Sequence, residues 1–155
     1  MAINSLTGSD TIIINDRVLT DFGNGDIATL TYSNESVAVT TGKSINSVGN
    51  SIFAFNETSR QADVELRVLK SSSDDKFLNS IKTGMDRDFA AFSLLVGQFV
   101  KRIGDGQGNV SNEIYNLSGG IFSQSIDSKS NVEGDTDQAI AIYKIKFSNA
   151  PRSIT

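Results

Sequence analysis

Seven consecutive residues, Ala62-Asp63-Val64-Glu65-Leu66-Arg67-Val68, alternate apolar and charged side chains without a break. Successive strand residues point to opposite faces, so this stretch buries one face and wets the other only as a β-strand; a helix would scatter its charges over every side. The pattern recurs at Ile27-Ala28-Thr29-Leu30-Thr31-Tyr32, where Ala28, Leu30 and Tyr32 share one face and the threonines the other. Further runs with strand character are Thr11-Ile12-Ile13-Ile14, Val18-Leu19, Val37-Ala38-Val39, Ile52-Phe53-Ala54-Phe55, Val110 to Tyr115, Ile121 to Ile126 and Ala139 to Phe147. Phe89 to Arg102 is apolar on both of its alternating sets, which predicts a strand covered on two sides. Turn residues punctuate the runs: Asn15-Asp16 predicts a hairpin, and Gly23-Asn24-Gly25 and Gly104-Asp105-Gly106-Gln107-Gly108 predict turns.

One helix is expected, over about 72–83. Ser71-Ser72-Ser73 offers capping hydroxyls, and Asp74 and Asp75 place negative charge where the helix dipole favours it. Phe77, Leu78 and Ile81 make an apolar stripe, and Gly84 reads as a left-handed C-terminal cap. Many short strands with one short helix imply a mainly β fold, a barrel or sandwich with a flanking helix. The length of 155 residues fits a single domain over 1–155, with an N-terminal arm at 1–10. The small polar residues 40–51 form a loop or the tip of a long exposed hairpin, a length that is uncommon in a compact domain unless the segment has a task.

The composition excludes most chemistry. There is no histidine, cysteine or tryptophan, which removes the usual general base, thiolate catalysis and the best sugar-stacking platform. Asp105, Gln107, Asn109, Ser111 and Glu113 alternate like calcium ligands, but Val110 and Asn116 stand where a calcium loop needs Gly and Glu. The pairs Asp74/Asp75, Asp86/Asp88 and Asp135/Asp137 are better read as helix-start and turn residues than as acid–base couples. With 14 Lys+Arg against 18 Asp+Glu the chain is acidic, and its cations are scattered, a poor grip for phosphates. The N-terminus lacks the pattern of a secretion signal and no apolar run reaches membrane-spanning length, so a soluble product of the cytosol is expected. The chain reads as a structural or binding protein rather than an enzyme, with no catalytic residue, metal or cofactor.

Several segments in order carry a resemblance. They are Asn4-Ser5-Leu6-Thr7-Gly8-Ser9-Asp10-Thr11, the hairpin Ile12 to Leu19 running into Asp21-Phe22-Gly23-Asn24-Gly25-Asp26, the polar loop Thr41-Gly42-Lys43 to Ser51 before Ala54-Phe55-Asn56, Ala62 to Ser71, and the helix with Asp75, Leu78 and Asn79. Over about residues 4 to 105 this set resembles the major tail tube proteins of contractile-tailed bacteriophages, with Asn15-Asp16 standing where that family would place Asn-Gly. The resemblance implies two antiparallel sheets forming a barrel-like sandwich beside one helix. It implies hexameric rings stacked into a hollow tube inside a contractile sheath, with phage DNA passing down the lumen without specific binding. The implied partners are the tail sheath protein and the baseplate and tail terminator proteins, with no stable membrane association; the implied location is the virion tail, after synthesis in the host cytoplasm. Contacts between subunits and rings fall on the arm (Ile3, Asn4, Ser5, Leu6) and the loop (Thr41, Lys43, Ile45, Val48, Asn50), and Glu35, Asp63 and Glu65 are candidates to face the lumen. A bacteriocin or type VI secretion tube is the near alternative, and a monomeric β-sandwich binding or adhesin module of a virion the alternative from another class.

Overall fold

The computed structural model describes residues 5–6, 10–23, 27–42, 51–128, 130, 132, 134 and 136–155. Among these, the chain forms eleven strands and one α-helix. In order they are β1 (Ser5–Leu6), β2 (Thr11–Ile14), β3 (Arg17–Leu19), β4 (Ala28–Tyr32), β5 (Val37–Thr41), β6 (Ser51–Phe55), β7 (Ala62–Leu69), α1 (Ser73–Arg87), β8 (Leu95–Gly104), β9 (Val110–Phe122), β10 (Ile140–Asn149) and β11 (Arg152–Ile154). Nine strands join one antiparallel sheet along the path β3-β2-β8-β9-β10-β7-β4, with β1 added to the far end of β8 and β11 to the far end of β9. β5 and β6 form a separate two-stranded antiparallel ribbon. The fold is thus mainly β with two antiparallel sheets and one helix, as expected. Among the described residues the main sheet does not close into a barrel, since β3 and β4 end its path without pairing. It curls over itself in a sandwich-like way: Ile27, Ala28 and Leu30 face Ile12, Phe99 and Tyr115 across a cleft, and the Tyr32 hydroxyl donates to the Ala150 carbonyl at 2.5 Å.

The alternation in β7 sets the core. Ala62, Val64, Leu66 and Val68 are fully buried, and the register places them opposite Phe147, Ile145, Tyr143 and Ala141 of β10, which are buried on the same face. The β2–β3 hairpin turns at Asn15 and Asp16, both at positive φ (48° and 65°), the mirror-image turn whose twist suits adjoining strands and which Asn and Asp tolerate. Gly97 sits at a bulge in β8 where a Cβ would lie 2.4 Å from the Ile13 carbonyl oxygen, so only glycine lets β2 approach this closely.

Two expectations are corrected. The helix does not stop at 83, and Gly84 is not its cap: α1 runs to Arg87 and closes on Asp88, whose N–H donates to the Gly84 carbonyl. The reason is the buried stripe Asp74, Leu78, Lys82 and Met85, which needs the extra turn to bring Met85 against the core. β8 is not covered on two sides within the chain either: Leu95 is fully buried, but neighbouring Val96 is 48% exposed. The start of the helix matches its signals, with Ser72 Oγ accepting from the Asp75 N–H.

Candidate assembly surface

Hydrogen-bonded pairs fix the β5–β6 ribbon at Val37–Phe55, Ala38–Ala54 and Val39–Phe53. Paired residues share a face, and alternate pairs share the same one. Val37, Val39, Phe53 and Phe55 therefore crowd one face, while Ala38, Ala54, Thr40 and the exposed Ile52 lie on the other. The bulky face is open: those four side chains are 41%, 57%, 70% and 60% exposed. Among the described residues, the Arg60 guanidinium approaches this face, 5.9 Å from the centre of the Phe55 ring. A lone two-stranded ribbon is marginally stable in water, and an exposed apolar patch of this kind marks a contact surface.

The second feature is the seam where the curled sheet meets itself. A cleft of about 210 Å³ opens there, with Ile27, Ala28 and Leu30 from the β4 side and Phe99 and Tyr115 opposite. All five pack partly against the core. The rim is ionic. Lys101 Nζ is 3.0 Å from an Asp10 carboxylate oxygen, and Arg152 Nη2 is 2.5 Å from a Glu113 carboxylate oxygen, which holds β11 against β9.

The opposite face of the sheet is a charge ladder. The register pairs Lys146 with Asp63 and Lys144 with Glu65, and the side chains follow, at 3.8 and 3.9 Å. Lys144 also reaches Asp127 at 2.9 Å, and its pKa is raised by that hydrogen bond. Asp63 and Glu65, the candidate lumen residues, thus stand beside cations of β10, and Glu35 is exposed in the turn before β5.

Asp74 is the anchor of the helix. It is 1% exposed, and its carboxylate accepts from Arg17 Nε (3.0 Å), the Thr20 N–H (2.6 Å) and the Asp21 N–H (2.8 Å). Burial alone would raise its pKa; the Asp21 and Thr20 N–H groups and then Arg17 outweigh it and hold the carboxyl below the usual range. The first turn of the helix is thereby tied to the end of β3. Next to it, the buried Tyr143 hydroxyl donates to an Asp75 carboxylate oxygen at 2.6 Å.

Other residues singled out in the sequence find local partners. The Asp105 carboxylate accepts from the Gln107 and Asn109 N–H groups and from Asn109 Nδ2, so the calcium-like run is an Asx turn. Asp86 takes both short bonds from Lys82, and Asp88 accepts from the Ala91 N–H. Among the described residues no cluster of three metal-ligating side chains occurs, and no helix is long and apolar enough to cross a membrane. Of the predicted contact residues, Ser5 and Leu6 form β1 against Gly104 and Ile103, with Leu6 exposed, and Thr41 ends β5. Ile3, Asn4, Lys43, Ile45, Val48 and Asn50 lie outside the described residues. Sequence reasoning missed the bulky face of the ribbon, although alternation in Ile52 to Phe55 was its signal, and it missed Asp74 as a buried anchor and β11 as a strand.

No protein-family model matches this chain, and no curated protein matches it. Among solved structures it is similar to a chain of an extracellular contractile injection system, the PVC sheath-tube complex in its extended state, solved by electron cryo-microscopy. The TM-score is 0.50 at 13% identity, over 94% of this chain and 87% of that one. The likeness is one of fold, and it runs through nearly the whole of both chains.

Proposed function

We propose that this chain is the tube subunit of a contractile device, with hexameric rings stacked into a hollow tube inside a sheath. The observation that carries the reading is the shared fold with a chain of a sheath-tube complex, end to end. The surfaces agree with it. An apolar ribbon and outer edges at β3 and β4 that no described strand pairs are liabilities on a free monomer and assets in a ring of identical copies, where edges and patches are covered. The function is then mechanical, with no reaction catalysed and no cofactor. In a phage the partners are the sheath, baseplate and terminator proteins and the DNA in transit; in an injection device of the same build the tube carries another cargo. The charge ladder of Asp63, Glu65, Lys144 and Lys146 suits a wall that must not hold its cargo, since the cations there are already engaged by carboxylates.

Negative-stain electron microscopy of the purified protein, dilute and concentrated, tests this. Rings or tubes with a central channel are expected. Separate small particles at every concentration, including with a preformed baseplate as nucleus, overturn the reading in favour of a monomeric binding module.

A further inference from the structure

We infer that the bulky face of the β5–β6 ribbon seats in the seam cleft of a second copy of this chain, with Phe53 and Phe55 of one copy against Ala28, Leu30 and Tyr115 of the next. The inference rests on the tube reading and adds to it which two surfaces meet.

Three observations lead here. First, the ribbon gathers Val37, Val39 and both its aromatic rings, Phe53 and Phe55, on one face, against Ala38, Ala54, Thr40 and a single large side chain, Ile52, on the other, and the described residues of the chain place no strand or sheet over the aromatic side. Such a ribbon gains its stability from something that covers it. Second, the cleft is the matching concavity. It has an apolar floor and the volume of a side-chain insert, about 210 Å³, and no ribbon residue lines it within the same chain. Its rim charges, Asp10 with Lys101 and Glu113 with Arg152, are paired internally, so a covering partner buries no lone charge. Third, ribbon and cleft are different patches of one chain. A contact between them is head-to-tail, and such a contact propagates to a ring or filament instead of stopping at a dimer. Ribbon against ribbon would satisfy the apolar face but end at two copies and leave every cleft empty.

The chain has no cysteine, so introduced thiols report alone. Phe53→Cys and Phe55→Cys change exposed positions, and Ala28→Cys changes the cleft floor with little added volume. Each ribbon variant is mixed with the Ala28→Cys variant, assembled, oxidised and run on a non-reducing gel; the bond forms only where Cα atoms approach within about 7 Å. A mixed dimer from at least one ribbon position, absent when assembly is blocked by dilution, is the expected result. Tubes that form while yielding no mixed dimer overturn the inference and leave the tube reading standing. Dimers between two ribbon cysteines alone overturn it in favour of ribbon-on-ribbon pairing. A protein that forms neither tube nor mixed dimer sinks both. As a second readout, Phe53→Ser with Phe55→Ser should raise the concentration at which assembly begins about a hundredfold, as loss of a central aromatic pair does. The helix content of the dispersed protein should not change. Assembly at the wild-type concentration refutes the seat.

Discussion

Replacing Asp74 by Asn tests the anchor of the helix with almost no change of shape. One carboxylate oxygen accepts from Arg17 and the other from the Thr20 and Asp21 N–H groups. An amide has one acceptor. Its best placement keeps the two backbone donors and turns the NH2 towards Arg17 Nε, so that two donors face each other. The loss is then one charge-assisted bond, and because Arg17 is 43% exposed its guanidinium can turn to water. About 2–3 kcal/mol is the expected cost. At about 2–4 °C per kcal/mol for a chain of this size, the thermal midpoint should fall by about 4–12 °C. Asp74→Ala also strands two N–H groups and should cost more, about 3–5 kcal/mol. Urea unfolding of the dispersed protein followed by far-ultraviolet circular dichroism measures both.

The pH dependence of the same pair separates charge from packing. The folded carboxyl is depressed, whereas in the unfolded chain it titrates near the ordinary value of about 3.9. Its contribution is therefore complete above that value and fades as pH falls through the lower folded pKa. The Asn variant has no such contribution to lose. The gap between the two proteins should be constant from pH 7 to 5 and narrow below about pH 4. A variant within about 0.5 kcal/mol of the parent at pH 7, or a gap that does not narrow in acid, refutes the argument, because it would mean that the carboxylate's bonds merely offset its burial.

Gly84→Ala should stabilise the protein by about 1 kcal/mol, since the position is helical and nothing lies within 4 Å of the added Cβ; a lowered thermal midpoint would restore the left-handed cap. Gly120→Val should cost about 1–3 kcal/mol in urea unfolding, because a Cβ there meets the Phe147 ring at 2.4 Å; unchanged stability would mean that the ring swings aside freely. Burial first, then the Asp75 carboxylate, push the Tyr143 phenol far above its ordinary value. Its contribution is thus present below about pH 10 and lost as pH rises beyond it, because the unfolded phenol ionises first. Tyr143→Phe should flatten that alkaline loss, and identical alkaline curves for the two proteins would refute the assignment.

What the sequence revealed and what it hid divide along a physical line. β7, the Asn15-Asp16 hairpin and the Ser72 cap were legible because each is decided within a few residues, by alternation, by tolerance of positive φ, or by a hydroxyl one turn from a free N–H. Gly84 misled because local propensity favours an end there, while burial of Met85 on the stripe with Leu78 outweighs one glycine. β11 was hidden because three exposed residues carry no pattern; only β9, which it joins, makes them a strand. Two further errors share a sign. Phe89 to Arg102 is apolar on both sets yet half-open in β8, and the ribbon carries Val37, Val39, Phe53 and Phe55 largely exposed. In both places the sequence holds more apolar residues than the described residues cover. On the proposed tube reading, the missing cover is what further copies of the chain would provide. The polar run at 40–51 stood out in the sequence by its length, but register, which no single strand contains, is what gathers Val37, Val39, Phe53 and Phe55 onto one face.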